Sequence, residues 1–388
     1  MKKLLIISYD FPPCLIGVRR TLKWIKYLPG FEWRCSVLTV KEIRSAKKDP
    51  TPLHDLKEQG VEIFRSGSLD PYRIAHIFSP SAKQEHTDKT HAPPRSKSIM
   101  SFLRNWVFVP DDRCGWIPFA TFKGLSIIRK YKPDAILSTS YPNTAHIVGL
   151  KLKILTGIPW IADFRDAWTQ NPYFFHPPTS IHRAINSHLE KLVAQKCDAL
   201  ITVSEPISGY FRNIIPESQK VHTITNGYDE ENFSGLIRRE PELFTLVYTG
   251  TLYGAATPMP FFQAVRNILT EHPSWRKDFD IRFYSALQRS HADALHKYQI
   301  KDVVHIEGLR NYGESLEKQM NASALLLFIS PGPNAEVTMT QKVFEYLRSG
   351  SPILAMVPQG ACRELLNDFK EPYIIHPSDV EGIKNNLE

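Results

Sequence analysis

The stretch ALLLFISPGPNAEVTMTQKVFEYLRSGSPILAMV, residues 324–357, carries the pattern on which the fold prediction rests. Its two apolar ends predict buried strands, and the amphipathic part between them predicts a helix. That helix is expected to start near residues 338–340 and to stop at Gly350 and Pro352. A strand, a helix and another strand in this order form the unit from which parallel sheets are wound.

The same alternation of strand and helix continues over the rest of the chain. We therefore predict an α/β protein with parallel sheets, and not an all-β or all-α fold. The predicted strands are LLIISY, RCSVLTV, VEIFR, AILSTS, WIADF, ALITVS and KVHTITN in the first half, and FTLVYTG, IRFYS, VVHIEG, ALLLFIS, PILAMV and YIIH in the second. The predicted helices of the first half lie near residues 18–28, 118–131, 143–156, 180–196 and 205–214.

The apolar periodicity is lost once, after Asn226, in GYDEENFSGLIRREPE. We place the domain boundary there, because FTLVYTG then starts a new strand. The predicted organisation is an N-terminal Rossmann-like domain at 1–228, a linker at 229–242 and a C-terminal Rossmann-like domain at 243–388. In such doubly wound sheets, ligands bind at the carboxyl ends of the strands.

Composition fits two buried cores, since 42% of the 388 residues are hydrophobic. The five cysteines are scattered and form no CxxC pair, so we predict neither disulfides nor zinc, and a reducing cytoplasm. The opening MKKLLIISYDFPP has a short apolar run and no cleavage site, which favours a first strand over a signal peptide. No other segment approaches the roughly 18 apolar residues of a membrane span. We expect a soluble or peripheral protein.

The net charge of +8 suits an anionic partner: nucleic acid, an acidic lipid surface or a phosphorylated small molecule. Nucleic acid is not expected as the main partner, because no basic helical stripe, zinc-finger spacing or aromatic ribonucleoprotein signature occurs. Residues 79–98 are polar, basic and proline-containing, and are predicted to be a mobile excursion.

Residues 99–118 interleave aromatic and cationic side chains, which allows two interpretations. They form a surface for an acceptor or for membrane headgroups, or their aromatic side chains pack in the core of the first domain. The side chains concerned are Phe102, Arg104, Trp106, Phe108, Arg113 and Trp116.

The helix predicted within 324–357 carries charged residues that suit the binding of a ligand. Lys342 and Glu345 lie three residues apart on one face, beside a helix amino terminus that follows a strand end. Unpaired amides and the positive end of the helix dipole suit a nucleotide diphosphate, and Glu345 can accept hydrogen bonds from both ribose hydroxyls. The alternative is an ordinary helix with Glu345 in solvent.

A second group of polar residues follows the strand WIADF in the first domain. Asp163, Arg165 and Asp166 stand at its carboxyl end, where catalytic groups gather. An internal ion pair, with Arg165 holding the strand end, is the alternative. His146 begins the preceding helix, where it either touches a substrate or has a structural role.

The stretch TQKVFEYLRSGSPILA, residues 340–355, resembles a motif of the retaining glycosyltransferases of family 4, whose members in one branch read close to PxKxxEYLxxGxPILA. Four further blocks agree with that family in order and spacing, and together they cover nearly the whole chain. These blocks are ISYDFPPCLIGVRR, STSYPNTAHIVGL with TGIPWIADFRDAW, VHTITNGYDEENF, and LVYTGTLYGAATPMPFF.

The resemblance implies a GT-B fold, with two Rossmann-like domains facing an interdomain cleft. It implies transfer of a sugar, with retention, from a nucleotide sugar, UDP- or GDP-linked, to a saccharide or lipid-linked acceptor in bacterial surface polysaccharide synthesis. The nucleotide sugar is a substrate, and neither a cofactor nor a metal is expected. The expected location is the cytoplasm, with peripheral contact to an anionic membrane.

By the same resemblance, the catalytic residues are His146, Asp163, Arg165 and Asp166. The donor-binding residues are Gly17, Arg19, Arg20, Gly250, Thr251, Thr340, Gln341, Lys342 and Glu345. The chain departs from the family where Val337 replaces a sugar-binding glutamate, with Glu336 one position off, and where Ala255, Ala256 and Thr257 stand in a loop that often carries a cation. These departures keep open a non-catalytic nucleotide- or glycan-binding subunit. An epimerase or a phosphorylase of the same fold is a further alternative.

Overall fold

The computed structural model describes residues 1–13, 17–42, 51–70, 106–173, 175, 177–252, 256–370 and 372–388. The chain divides into two compact units, Met1–Thr225 and Asn226–Glu388. The excursion predicted at 79–98 lies outside the described residues.

In the described residues, the first unit is built on a parallel sheet of seven strands. Its strands are β1 (Lys2–Ile7), β2 (Trp33–Val40), β3 (Glu62–Ser66), β4 (Ala135–Thr139), β5 (Trp160–Phe164), β6 (Ala199–Thr202) and β7 (Val221–Thr223). Its helices are α1 (Arg19–Tyr27), α2 (Thr51–Glu58), α3 (Ile117–Tyr131), α4 (Thr144–Thr156), α5 (Ser180–Lys196) and α6 (Glu205–Ile214). The strand order is β3-β2-β1-β4-β5-β6-β7. Every predicted strand and helix of this half is present, and among the α-helices in the described residues α2 was the one not predicted.

The strands read as continuous apolar runs because both faces of the sheet are covered. Along β1, Leu4 and Ile6 pack with Ile25 of α1, whereas Leu5 and Ile7, which alternate with them, are fully buried on the opposite face. Strand side chains alternate between the two faces, so only a sheet covered on both sides buries all four.

The second unit repeats this architecture with six parallel strands. Its strands are β8 (Phe244–Thr249), β9 (Phe279–Tyr284), β10 (Val304–Ile306), β11 (Ala324–Phe328), β12 (Ile353–Met356) and β13 (Pro372–Ile375). Its helices are α7 (Met259–Glu271), α8 (Arg289–Lys297), α9 (Tyr312–Met320), α10 (Gln341–Ser349), α11 (Ala361–Asn367) and α12 (Val380–Asn385). The strand order is β10-β9-β8-β11-β12-β13, and all six predicted strands are present.

Residues 226–242, which include the predicted linker, are part of the second unit. Phe233 is buried and packs against Leu316 and Met320 of α9. Glu230 forms an ion pair with Arg348 of α10. The segment after the boundary is therefore held against α9 and α10, which also carry the candidate site described below.

In the described part of the chain, none of the helices has the length and apolar character needed to cross a membrane.

Candidate active site

Helix α10 begins at the carboxyl edge of the second sheet, as the sequence predicted. Thr340 has an extended backbone (φ −82°, ψ 143°) and its side chain makes no capping hydrogen bond. Gly350 ends the helix in the left-handed conformation, with φ of 72°. Just before the helix, Thr338 Oγ1 is buried and has no hydrogen-bond partner among the described residues. This edge therefore keeps polar groups available, because the first amides of a helix have no partner within it.

Glu345 lies one turn into α10 and is only 3% exposed. Tyr312, the first residue of α9, donates its hydroxyl to Glu345 Oε1 at 3.2 Å. The carboxylate is thus held between two helices, and not in open solvent as the alternative interpretation required.

Lys342 lies on the same helix and reaches over the end of β8. Its Nζ donates to Tyr248 Oη at 2.6 Å and to the Thr251 carbonyl oxygen at 3.1 Å. Gly250 has φ of +92°, and a Cβ at this position would lie 2.8 Å from Lys342 Cε. Burial lowers the pKa of the Lys342 ammonium to about 7, and the Glu345 carboxylate partly opposes this shift.

The remaining predicted donor-binding residues of this unit lie at the same edge. Thr251 follows Gly250 directly, and Thr340 and Gln341 start α10. The Gln341 side-chain amide donates to the Gly227 carbonyl at 3.2 Å. Val337, which stands where the family has a glutamate, is 7% exposed and offers no polar side chain to a sugar.

In the first unit, Asp163 is an anchor and not an open carboxylate. It is 1% exposed and accepts hydrogen bonds from the Arg20 guanidinium at 3.2 and 3.3 Å and from Thr139 Oγ1 at 2.8 Å. Arg20 also donates to the carbonyls of Ile224 and Thr225, at 2.8 and 2.9 Å. From the sequence, Asp163 was predicted to be catalytic and Arg20 to bind the donor. In the structure the two are buried against each other, because opposite charges that leave water must be paired.

Arg165 and Asp166 form the accessible part of the same motif. Arg165 Nε lies 3.3 Å from Asp166 Oδ2, and its Nη2 donates to the Tyr141 carbonyl at 3.1 Å. The Asp166 side chain is 38% exposed. The alternative interpretation of this motif was an internal ion pair in which Arg165 holds the strand end. An internal ion pair is present, but the cation that pairs with Asp163 is Arg20 and not Arg165.

Gly17 leaves room for the Arg165 guanidinium. Its φ is +68°, and a Cβ would lie 2.7 Å from Arg165 Nη2. Arg19, exposed at the start of α1, lies two residues further along the chain.

We expect Gly17→Ala to cost about 1–2 kcal/mol of stability, because a residue with a Cβ resists the left-handed conformation, and to lower activity by displacing Arg165. Gly157→Ala is the matched control, since Gly157 has φ of +71° with nothing within 4 Å of its Cβ position. Thermal melts should shift equally for the two variants, and turnover should fall only for Gly17→Ala. Equal turnover would show that Arg165 need not hold this position.

His146 is enclosed in the core of the first unit. It has no exposed surface, its ring packs on Phe164 with centroids 4.4 Å apart, and Nδ1 lies 2.8 Å from Ser138 Oγ. Trp160 Nε1 donates to that same oxygen at 2.8 Å. Burial lowers the pKa of His146 to about 3, so the ring is neutral. The sequence left open a contact with the sugar or a structural role, and the packing corresponds to the structural one.

A group of carboxylates at this edge was missed. Asp111 accepts hydrogen bonds from Thr144 N and Oγ1 at the start of α4, at 2.9 and 2.7 Å, and burial raises its pKa to about 6. Arg113 lies 3.5 Å from Asp112 and 3.9 Å from Asp70. The charged residues that follow Pro110 were the signal for this group in the sequence. Their partners Thr144 and Asp70 lie far away in the chain, so the contacts could not be predicted.

The aromatic stretch 99–118 divides between the two interpretations. Trp116 is fully buried and donates its Nε1–H to Ser66 Oγ at 2.8 Å. Its position agrees with the interpretation that the aromatic side chains pack in the core. Trp106 is 46% exposed. Residues 99–105, with Phe102 and Arg104, lie outside the described residues.

Among the described residues, one group has ligand atoms close enough together for a metal ion: Glu271, His272 and Glu388, within 4.8 Å of one another. The group lies at the carboxyl end of α7, away from the strand ends that carry the candidate site. Lys384 Nζ already pairs with Glu271 at 2.5 Å and with Glu388 at 3.7 Å. A cation is therefore present in this group without a metal.

Two doubly wound parallel sheets, each in its own compact unit, define the GT-B class of fold. Solved structures share it over the whole chain. HepE from Anabaena, in complex with UDP and glucose, has a TM-score of 0.62 and 12% identity, covering 100% of this chain and 89% of its own. The sucrose-phosphate synthase of Thermosynechococcus elongatus has 0.62 and 13%, with the same coverage. The lipopolysaccharide outer core galactosyltransferase WaaB has 0.59 and 13%, again with the same coverage. At these identities the likeness shows the fold.

The family itself is indicated by the sequence. Residues 75–232 match the model of the family described as Glycosyltransferase Family 4. No curated protein matches the chain. The family match and the shared fold support a family 4-like glycosyltransferase, which confirms the resemblance predicted from the sequence.

Proposed function

We propose that the protein transfers a hexosyl group from a UDP- or GDP-sugar to a saccharide or lipid-linked acceptor, with retention and without a metal. The proposal rests on the group of residues that meets at the carboxyl edge of the second sheet. There Glu345, Lys342 and the amino terminus of α10 converge beside Gly250. HepE, solved with UDP and glucose, is a protein of the same fold that binds such a nucleotide.

Each group has a role that its chemistry suits. Glu345 accepts the ribose hydroxyls, the amides at the start of α10 meet the phosphates, and the positive backbone dihedral of Gly250 allows close approach of the main chain. In the first unit, we assign the contact with the acceptor to the accessible pair Arg165 and Asp166. The acceptor hydroxyl forms the new bond to the anomeric carbon while the bond to the diphosphate breaks, and its proton passes to a leaving phosphate oxygen.

The setting we propose is the synthesis of bacterial surface polysaccharides, at the cytoplasmic face of a membrane. Exposed Trp106 and the net charge of +8 favour contact with an anionic surface.

The test is a panel of UDP-, GDP- and ADP-sugars, measured by thermal stabilisation and by donor hydrolysis, with and without a chelator. We expect one donor to stabilise the protein and to be slowly hydrolysed, in both conditions. NMR of the sugar product then reports retention or inversion at the anomeric carbon. Stabilisation without hydrolysis or transfer would favour the non-catalytic subunit. The departures at Val337 and at Ala255 and Ala256 are the reason to test for that outcome.

A further inference from the structure

The loop that follows β8 brings no cation to the donor edge. Between residues 240 and 265, which include β8 and this loop, the sequence contains neither lysine nor arginine. A leaving diphosphate needs nearby positive charge, and such stabilisation is commonly the largest catalytic contribution. The charge must therefore come from another element.

Lys342 of α10 brings an ammonium group to this loop. Its Nζ donates to the carbonyl of Thr251, the second residue after β8, and lies 4.5 Å from the centre of the Tyr248 ring. Gly250 has no Cβ that would collide with the lysine stem. The Lys342 side chain thus fills the space that a side chain at residue 250 would otherwise occupy.

Tyr248 fixes the direction of this ammonium. Its hydroxyl donates to the Thr251 carbonyl at 3.0 Å, which leaves an oxygen lone pair to accept from Lys342 Nζ at 2.6 Å. Both acceptors of Nζ are neutral oxygens, so neither balances its charge as a carboxylate would. An arriving phosphate offers the stronger, charge-assisted partner.

We infer that Lys342 is the cation that neutralises the donor diphosphate, that it takes up a proton as the nucleotide binds, and that Tyr248 positions its Nζ. This inference rests on the proposed function, because it assumes a nucleotide at this edge.

The proton uptake follows from the charges around the amine. Burial lowers the pKa of Lys342 to about 7, while Glu345 on the same helix opposes the shift, and Tyr248 of β8 and Thr251 of the following loop each present a neutral oxygen to Nζ. Phosphate oxygens favour the charged ammonium and therefore raise its pKa. Above pH 7 the free protein holds less than one proton here and gains one on binding. Near pH 6 the amine is already protonated, so the uptake should nearly vanish.

The experiment is calorimetric titration with UDP and GDP, and with uridine and guanosine, in buffers of different ionisation enthalpy at pH 6 and pH 8. We expect uptake of close to one proton per diphosphate bound at pH 8, a much smaller uptake at pH 6, and none with the nucleosides. Lys342→Met should abolish the uptake and weaken the diphosphate at least tenfold, with nucleoside affinity unchanged. Lys342→Arg should keep the affinity without the uptake, since its guanidinium is always charged.

Tyr248→Phe retains the ring and removes the hydroxyl. It should weaken the diphosphate several-fold and leave the nucleosides unaffected. Lys301→Met, at an exposed lysine before β10, is the matched control and should change nothing. If UDP or GDP binds wild type and Lys342→Met equally and without proton uptake, the inference is wrong and the proposed function stands. If no nucleotide or nucleoside binds, both are wrong.

Discussion

Glu345→Ala is expected to lower the affinity for the nucleotide-sugar donor about a hundredfold or more, and transfer with it. The carboxylate accepts both ribose hydroxyls in the proposed complex, and a hydrogen bond to a charged group is worth roughly 1.5–3 kcal/mol. The measurement is calorimetric titration with the donor selected from the panel, followed by turnover at saturating acceptor. Uridine or guanosine should lose affinity as strongly as the diphosphate, which separates this effect from that of Lys342.

Two further variants make the result specific to Glu345. Glu364→Ala removes an exposed carboxylate of α11 in the same unit and should bind donor normally. Glu345→Gln keeps the shape and one acceptor oxygen for Tyr312 and ribose, and should recover part of the affinity. Thermal melts without ligand should show that all three variants fold. Unchanged donor affinity in a folded Glu345→Ala protein would place the nucleotide elsewhere.

Asp163→Ala is expected to destabilise the protein by about 3–5 kcal/mol, because it leaves the Arg20 guanidinium buried without its counter-charge. Arg20 holds the carbonyls of Ile224 and Thr225, the last residues of the first unit, so the effect should extend to that end of the sheet. Chemical denaturation is the measurement. Replacing both partners, Arg20→Met with Asp163→Ala, should cost less than the sum of the single changes.

The matched control for this prediction is Asp166→Ala, in the same motif. Its carboxylate is 38% exposed and pairs with Arg165 near the surface, so stability should change by no more than about 1 kcal/mol. Activity should nevertheless fall, since Asp166 is the accessible carboxylate of the motif. If Asp163→Ala folds as stably as Asp166→Ala, the buried pair of Arg20 and Asp163 does not stabilise the first unit.

The sequence predicted those features of the candidate site that depend on residues within a single helix or strand. Lys342 and Glu345 share a helix whose amino terminus follows a strand, so helical periodicity alone places them on one face at the carboxyl edge. The start of α10 and its stop at Gly350 follow from local backbone preferences. The glycosyltransferase resemblance depends on the same local blocks.

Relations between elements were not predictable from these patterns. The sequence indicated that Asp163 ends a strand, but its partner Arg20 lies 143 residues away. Tyr248, 94 residues from Lys342, was not predicted as a site residue, since a tyrosine in an apolar strand reads as core. His146 begins a helix at the functional edge, and only the packing of Phe164 and Trp160 encloses it.

By itself, the sequence predicted the strands along the chain that the described residues contain, their parallel arrangement with helices, and the edge at which polar groups gather. It did so because strands covered on both faces must be apolar throughout, and because the residues after them lie at one edge. The tertiary structure decided which charges are buried and paired and which remain accessible. That choice depends on side chains brought together across the sheet and between helices, where spacing along the chain carries no information.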